Sequence, residues 1–331
     1  MNQARAETPT CSTREERLRK ALFQGDKLRL DNPLYLRSVA AILDELLRLD
    51  LGSGDVTAQA LRLANEPVSA AIIAKEEGIA AGIDEVSWLL GRSGIKVTQN
   101  KRDGDSIRSK DTLLELEGSR GVLLSHERVG LNVLQRMSGI ASSTRQLQEL
   151  AHRHNPGTHI VGTRKTPCGL LDKRALHLGG GGTHRLGLWD AILIKNNHLA
   201  LLANREEEAV GVALERAWSR RGAAAFIEVE VSGKQPALAA ARVFRRLQEE
   251  ERRDDEDACP CLLLLDNVSP ADTSRTLQAL RFENLLDYVL IEASGNISES
   301  NLEAYAACGV DAISMGALTH SPRGLDLCQK F

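Results

Sequence analysis

The chain has 331 residues, of which 42% are hydrophobic and only 3% aromatic, with a formal net charge of −3. That length suits two globular domains, or one large α/β domain with an appendage. So few aromatics exclude a stacking platform for single-stranded nucleic acid, and the near-neutral charge excludes a generally basic surface that would coat it. Six cysteines (Cys11, Cys168, Cys259, Cys261, Cys308 and Cys328) are scattered without a CxxC pair or a histidine at zinc spacing. A reduced, cytoplasmic setting is therefore expected. The N-terminus carries acidic residues and no apolar core, unlike a signal or transit peptide. No apolar run approaches membrane-spanning length, so no membrane partner is expected.

Residues 1–30 read as a polar, partly frayed extension. Asn32-Pro33 can start a helix, and Leu36, Val39, Ala40, Leu43, Leu46 and Leu47 supply its apolar stripe. DLGSGDVT at 50–57 reads as a tight turn, because its two aspartates would repel a phosphate. The period then changes: 68–74, 95–97 and 113–116 are short strand candidates around a helix over 83–90, which makes an α+β segment with its own core. Ser125 and Arg128 mark the start of a helix that buries Val129, Leu131, Val133, Leu134 and Met137, and a further helix covers 140–154.

Strand-like runs then recur with helices between them, at 160–163, 191–194, 226–231, 261–265, 288–292 and 310–315. Each is followed by polar or small residues. Six such βα units predict a parallel barrel or a doubly wound sheet. Ligand-type residues follow every strand and are not confined to one switch point, which favours the barrel; six units make it small or incomplete. The charge block at 248–257 reads as a helix end running into a solvated loop.

The stretch 158–198 organises the chemistry. Arg164 and Lys165 follow one strand run, Lys195 follows the next, and four glycines with His184 and Arg185 lie between them. Such a set at strand ends suits a strongly anionic small molecule. Glu228 and Glu230 alternate on one strand and so point to one face. Asp266 closes the following run, where a carboxylate can hold a sugar hydroxyl, a hydrated Mg2+ or a developing positive charge. Glu228 reads equally well as a structural salt-bridge partner. In the last two units Ser294, Gly295, Asn296 and Gly316 sit where barrels frequently bind phosphate, though plain turns have the same composition. Cys168 has no base beside it in sequence and is a poor candidate nucleophile. Transfer of a phosphorylated sugar to an anionic acceptor fits these features. A sugar-phosphate aldolase using Lys165 or Lys195 as a Schiff base fits less well, since the density of cations favours polyanion binding.

These residues fall in motifs that resemble the quinolinate phosphoribosyltransferase family, also called nicotinate-nucleotide pyrophosphorylases. The likeness runs from about residue 35 to the C-terminus: DLGSGDVT, KEEGIAAG, ERVGLNVLQRMSGIAS, GTRKT, GGGGTHRLGLWDAILIKNNH, IEVEV, LLLDN, IEASGNI and DAISMGALTH. It implies an N-terminal α/β sandwich (α+β) domain over 31–130, packed with a C-terminal tail at 317–331, and an irregular, small parallel α/β barrel over 131–316 with its active site at the strand C-termini.

The resemblance also implies a pentosyltransferase joining phosphoribosyl pyrophosphate to quinolinate with decarboxylation, with Mg2+ and no organic cofactor, in a homodimer or higher oligomer. Arg128 would cross into the neighbouring active site. Arg164, Lys165, His184, Arg185 and Lys195 would hold the substrate carboxylates and pyrophosphate. Glu230 and Asp266 would bind ribose hydroxyls and Mg2+, and Lys165, Lys195, Glu230 and Asp266 would carry the catalysis. Ser294, Gly295, Asn296 and Gly316 would cradle the 5′-phosphate. A relative acting on another base, of the molybdenum-transport-associated type, and a non-catalytic pyridine-acid binder are the alternatives. Three departures from the family pattern stand out: a segment after Thr166 about two residues short, lacking an Arg; Asn196 in place of Asp; and Asn296 in place of Gly.

Overall fold

A computed structural model describes residues 13–63, 66–203, 205–251 and 259–331. The N-terminal elements are α1 (Arg14–Leu22), α2 (Pro33–Leu51), α3 (Val56–Ala60), β1 (Pro67–Ala74), β2 (Gly78–Ile79), α4 (Ile83–Arg92), β3 (Lys96–Gln99), β4 (Ser106–Ile107), β5 (Thr112–Ser119) and α5 (Arg120–His154). Strand–helix alternation follows, with β6 (His159–Val161), α6 (Leu170–Leu178), β7 (Ile192–Ile194), α7 (Asn196–Leu199), α8 (Glu206–Ser219), β8 (Ile227–Val231) and α9 (Lys234–Glu251). Beyond these lie β9 (Cys261–Asp266), α10 (Pro270–Phe282), β10 (Leu290–Ser294), α11 (Glu299–Ala307), β11 (Ala312–Ser314), α12 (Ala317–His320) and β12 (Leu327–Lys330). Among the described residues, no helix is long and apolar enough to cross a membrane.

Two compact units emerge from this chain. One comprises Gln24–Leu150, Ile160–Leu186 and Gly316–Phe331. Its antiparallel sheet has the order β12-β1-β5-β3, so the C-terminal strand covers one edge of β1, with Ala71 opposite Lys330 and Ala74 opposite Leu327. Alternation along β1 buries Ala70, Ile72 and Ala74. α2 starts where its sequence says it should: the Asn32 side chain accepts from the Leu34 N–H at 3.0 Å, with Pro33 in the first turn. Its buried face is Tyr35, Val39 and Leu43, while Leu46, expected in the stripe, is exposed. Successive i, i+4 positions carry that face around the helix and leave Leu46 outside it.

α5 corrects a second expectation. Ser125 caps nothing; its hydroxyl donates to the Val122 carbonyl at 3.0 Å, inside a single 35-residue helix that runs from Arg120. The five expected apolar positions, Val129, Leu131, Val133, Leu134 and Met137, are all buried. The helix expected separately over 140–154 is the same helix continued, and Gly139 within it is a contact point. A Cβ there would lie 2.0 Å from the Arg323 carbonyl oxygen, because the C-terminal segment crosses the helix at that residue.

The other unit comprises the described residues up to Phe23, with Ala151–His159 and Gly187–Met315. It carries most of a six-stranded sheet of order β6-β11-β10-β9-β8-β7. The pairings β7·β8, β8·β9, β9·β10 and β10·β11 are parallel. β6 joins through His159, whose N–H donates to the Asp311 carbonyl at 2.8 Å. Strands this apolar (CLLLLD in β9, IEVEV in β8) are buried on both faces, as parallel sheets require. β6 and β7 stand at the two ends of the order, so the ring of pairings that would close a barrel is open by one. This is the small, irregular α/β barrel expected.

Residues 14–22 depart from the frayed extension read in the sequence. α1 has a full capping box between Thr13 and Glu16, and it buries Leu18, Ala21 and Leu22. Arg14 grips Asp311 with Nε and a second nitrogen at 2.5 and 2.6 Å and donates to the Leu286 carbonyl at 2.8 Å. Residues 1–12, with Cys11, and the charge-block residues 252–257 lie outside the described residues.

Candidate active site

Parallel strands place all their C-termini on one side of a sheet, so whatever follows β7, β8, β9 and β10 gathers there. Lys195 directly follows β7, and its Nζ meets Glu230 Oε1 of β8 at 3.2 Å. The Asn196 N–H, in the first turn of α7, donates to Glu230 Oε2 at 3.0 Å. Both carboxylate oxygens are thus oriented, and Glu230 is almost buried at 9% exposure. The backbone of Asn196 makes this bond, so it does not depend on the side chain at that position. The Lys195 N–H is fixed in turn by His198 Nδ1 at 2.9 Å. Glu228, one pleat deeper, is fully buried, as is Glu292 on β10.

Asp266 ends β9 opposite Ser294, which ends β10. Asn267 follows with φ of +57° and ties the two together: its N–H donates to the Ser294 carbonyl at 2.9 Å and its amide to Asp266 Oδ2 at 3.0 Å. The Asn296 amide donates back to Asn267 Oδ1 at 3.0 Å, with φ of +50°, a conformation asparagine adopts readily. Gly295 has φ of +92°, and a Cβ there would fall 2.4 Å from Asn267 Oδ1. Only glycine fits, which leaves bare backbone amides beside the strand ends, a form suited to phosphate. Asn267, the pin of this turn, was missed in the sequence. The one available signal was an asparagine directly after a strand, where left-handed backbone is tolerated.

In the other unit, Arg164 and Lys165 follow β6 and are exposed. The Lys165 N–H donates to Thr163 Oγ1 at 3.1 Å, and the Thr166 N–H to the Arg164 carbonyl at 3.0 Å, which makes a tight turn. Gly316 starts α12 so close by that a Cβ on it would stand 3.2 Å from Lys165 Cδ. The four glycines pack more than they cradle. A Cβ on Gly179 would meet the Ala141 carbonyl at 2.4 Å, and one on Gly181 the Thr144 methyl at 2.6 Å, so this backbone lies directly against α5. Gly182 bridges to β6, through Gly162 N–H to Gly182 O and Gly182 N–H to Ile160 O, both at 2.9 Å. The run delivers His184, at φ of +53°, and Arg185, both only 5% exposed. Arg128 projects from α5 as an exposed side chain.

Burial, then the neighbouring Asp172 carboxylate, push the Cys168 pKa up, which disfavours the nucleophilic thiolate. All five cysteines among the described residues are free.

Comparison with known proteins decides the family. A model of the quinolinate phosphoribosyl transferase C-terminal domain matches residues 140–330, and one of the N-terminal domain matches 55–138. The chain belongs to the quinolinate phosphoribosyltransferase family. It is 37% identical over 288 residues to the probable nicotinate-nucleotide pyrophosphorylase [carboxylating] of Methanothermobacter thermautotrophicus, covering 86% of this chain and 96% of that one. A quinolinate phosphoribosyltransferase [decarboxylating] 1b of Nicotiana tabacum is 31% identical, over 91% of this chain and 83% of the relative. Among solved structures, the nicotinate-nucleotide pyrophosphorylase of Francisella tularensis superposes with a TM-score of 0.72 at 31% identity, covering 89% and 96% of the two chains.

Proposed function

We propose that this chain transfers the phosphoribosyl group of phosphoribosyl pyrophosphate to quinolinate with loss of CO2, giving nicotinate mononucleotide and pyrophosphate in de novo NAD biosynthesis. The observation that carries this reading is the Lys195–Glu230 pair, with the Asp266–Ser294–Gly295–Asn296 turn at the adjoining strand ends, in a chain of this family.

Arg164, Lys165, His184, Arg185 and Lys195 neutralise the quinolinate carboxylates and the pyrophosphate. Charge leaving with pyrophosphate is then stabilised by fixed cations, which need no reorganisation during the step. Glu230, held as an oriented carboxylate, faces the sugar with Asp266; the two bind ribose hydroxyls and offset the positive charge that grows at the anomeric carbon. The quinolinate nitrogen attacks that carbon. The positive pyridinium nitrogen stabilises the electron pair left on C2 as the 2-carboxylate departs as CO2, and a proton from solvent then adds at C2 to complete nicotinate mononucleotide. Ser294, Gly295, Asn296 and Gly316 hold the 5′-phosphate, largely through backbone amides.

Glu230 and Asp266 are hard oxygen donors, and Asp266 is only half-buried, which fits a hydrated Mg2+ reached through water or substrate. When bound, that ion offsets the charge of the leaving pyrophosphate. No organic cofactor is needed. A homodimer or larger oligomer goes with this reading, with exposed Arg128 completing a neighbour's site, and so does a cytoplasmic location.

The test is a product assay with quinolinate, phosphoribosyl pyrophosphate and Mg2+, with nicotinate in a parallel reaction. Nicotinate mononucleotide and CO2 from quinolinate alone are the expected products. Product from nicotinate alone would move the specificity to a single carboxylate. No product from either, in folded protein, would leave a relative acting on another base or a pyridine-acid binder.

A further inference from the structure

Asp172 lies on α6 with its side chain fully buried, and the proposed reaction gives it no role. A buried carboxylate must be matched by donors, and the ones it has trace a closed path. Arg136 of α5 grips it with a fork, Nε to Oδ1 at 2.8 Å and a terminal nitrogen to Oδ2 at 2.7 Å. The Thr166 hydroxyl donates to the same Oδ2 in a short hydrogen bond, and it accepts from the Cys168 N–H at 3.0 Å. One peptide back, the Lys165 carbonyl accepts from the Thr319 hydroxyl at 2.8 Å. The Thr319 carbonyl accepts from the same Arg136 nitrogen at 2.8 Å, and the ring closes.

We propose that Asp172 is a positioning residue for Lys165, acting through the Thr166 hydroxyl and locked by Arg136. This rests on the reading above in which Lys165 contacts the anionic substrates. The ring holds the Lys165–Thr166 peptide, through the Thr319 hydroxyl at its carbonyl and through Asp172 at the Thr166 side chain, and leaves the lysine stem exposed. A lysine is a point charge on a flexible stem, so the direction of its Cα–Cβ bond decides where the ammonium spends its time. Displacement of a substrate-positioning group by about 1 Å can cost on the order of 100-fold in rate.

The experiment compares Thr166→Val, which keeps the volume and removes the donor, with Thr166→Ser, which keeps the donor. Each is made in the wild-type and in the Lys165→Ala background. Thr166→Val is expected to lower kcat/KM for phosphoribosyl pyrophosphate by about tenfold, mainly through KM. Thr166→Ser should stay within about twofold of wild type. In the Lys165→Ala background the valine should add no further loss, since the two changes then act on one interaction. Thr319→Val, which opens the ring at the Lys165 carbonyl, should give the same signature and serves if Thr166→Val fails to fold. Wild-type kinetics in both valine variants would overturn the proposal, and so would an equal additional loss in the Lys165→Ala background, the mark of a purely structural ring. Full activity of Lys165→Ala itself would instead remove the reading on which the proposal stands.

Discussion

Glu85 on α4 is fully buried, accepts a hydrogen bond from the Tyr35 hydroxyl at 2.7 Å and has Arg174 Nε 2.8 Å away. Asp103 and Asp84 meet the same guanidinium at 2.9 and 3.2 Å. Three carboxylates thus share one buried arginine. Burial first, and the Asp103 charge second, raise the Glu85 pKa to about 7, against the opposing pull of Arg174. Asp103 is also raised, again chiefly by burial. The folded value for Glu85 exceeds the ordinary 4.5, so its contribution to stability is fully present below about pH 4.5 and is lost as pH rises through about 7. Glu85→Gln cannot titrate. Relative to wild type it should gain on the order of 1–3 kcal/mol between about pH 5 and pH 8, read from urea unfolding at both values. A difference that does not change with pH would place the titration on another group.

At the scale of elements, the long helix and the short N-terminal helix carry opposite lessons about local signals. A serine inside α5 looked like a cap and a separate helix was expected over 140–154, yet one helix runs through both, because tertiary contacts on its flanks outweigh weak local preferences. α1 falls in a stretch that read as a polar, partly frayed extension, and its charges turn out to be a means of docking. Arg14 holds Asp311, whose Oδ2 also accepts the Ile291 N–H at 2.6 Å and whose carbonyl accepts the His159 N–H, so one helix braces the starts of β6, β10 and β11. The apolar share of that docking is Leu18, Ala21 and Leu22. Leu18→Ala should therefore lower the unfolding free energy by about 2–5 kcal/mol, whereas Arg19→Ala, on the exposed face, should shift it by less than about 1 kcal/mol. Equal small effects in chemical denaturation would show that α1 does not brace the fold.

For the whole molecule, the homo-oligomer proposed here makes a prediction that no monomer can satisfy. Arg128→Ala and Lys195→Ala chains, each expected to be nearly inactive alone, should recover activity when unfolded together and refolded as a mixture. Mixed assemblies would then hold one site with all of its wild-type residues. Failure to recover, with sedimentation showing that the two chains do associate, would place Arg128 in its own chain's site or in none.

What the sequence determined by itself was the succession of elements and most of the chemistry. Apolar runs of strand length, ending in Lys195, Asp266 or Ser-Gly, are local patterns that period and turn chemistry expose, and the motifs around them carried the family. Tertiary structure alone decided which side chains act on one another. Asp172 had no sequence signal of its own and Asn267 only its place after a strand, because their partners Asn296, Ser294, Arg136 and Thr166 reach them only after the chain has folded. The glycine run at 179–182 shows the same division: its composition read as part of a pocket for an anion, and the fold packs the backbone of Gly179 and Gly181 against α5. Local preferences act over a few bonds, whereas burial and hydrogen bonding act through space, and the placement of this site rests on the second.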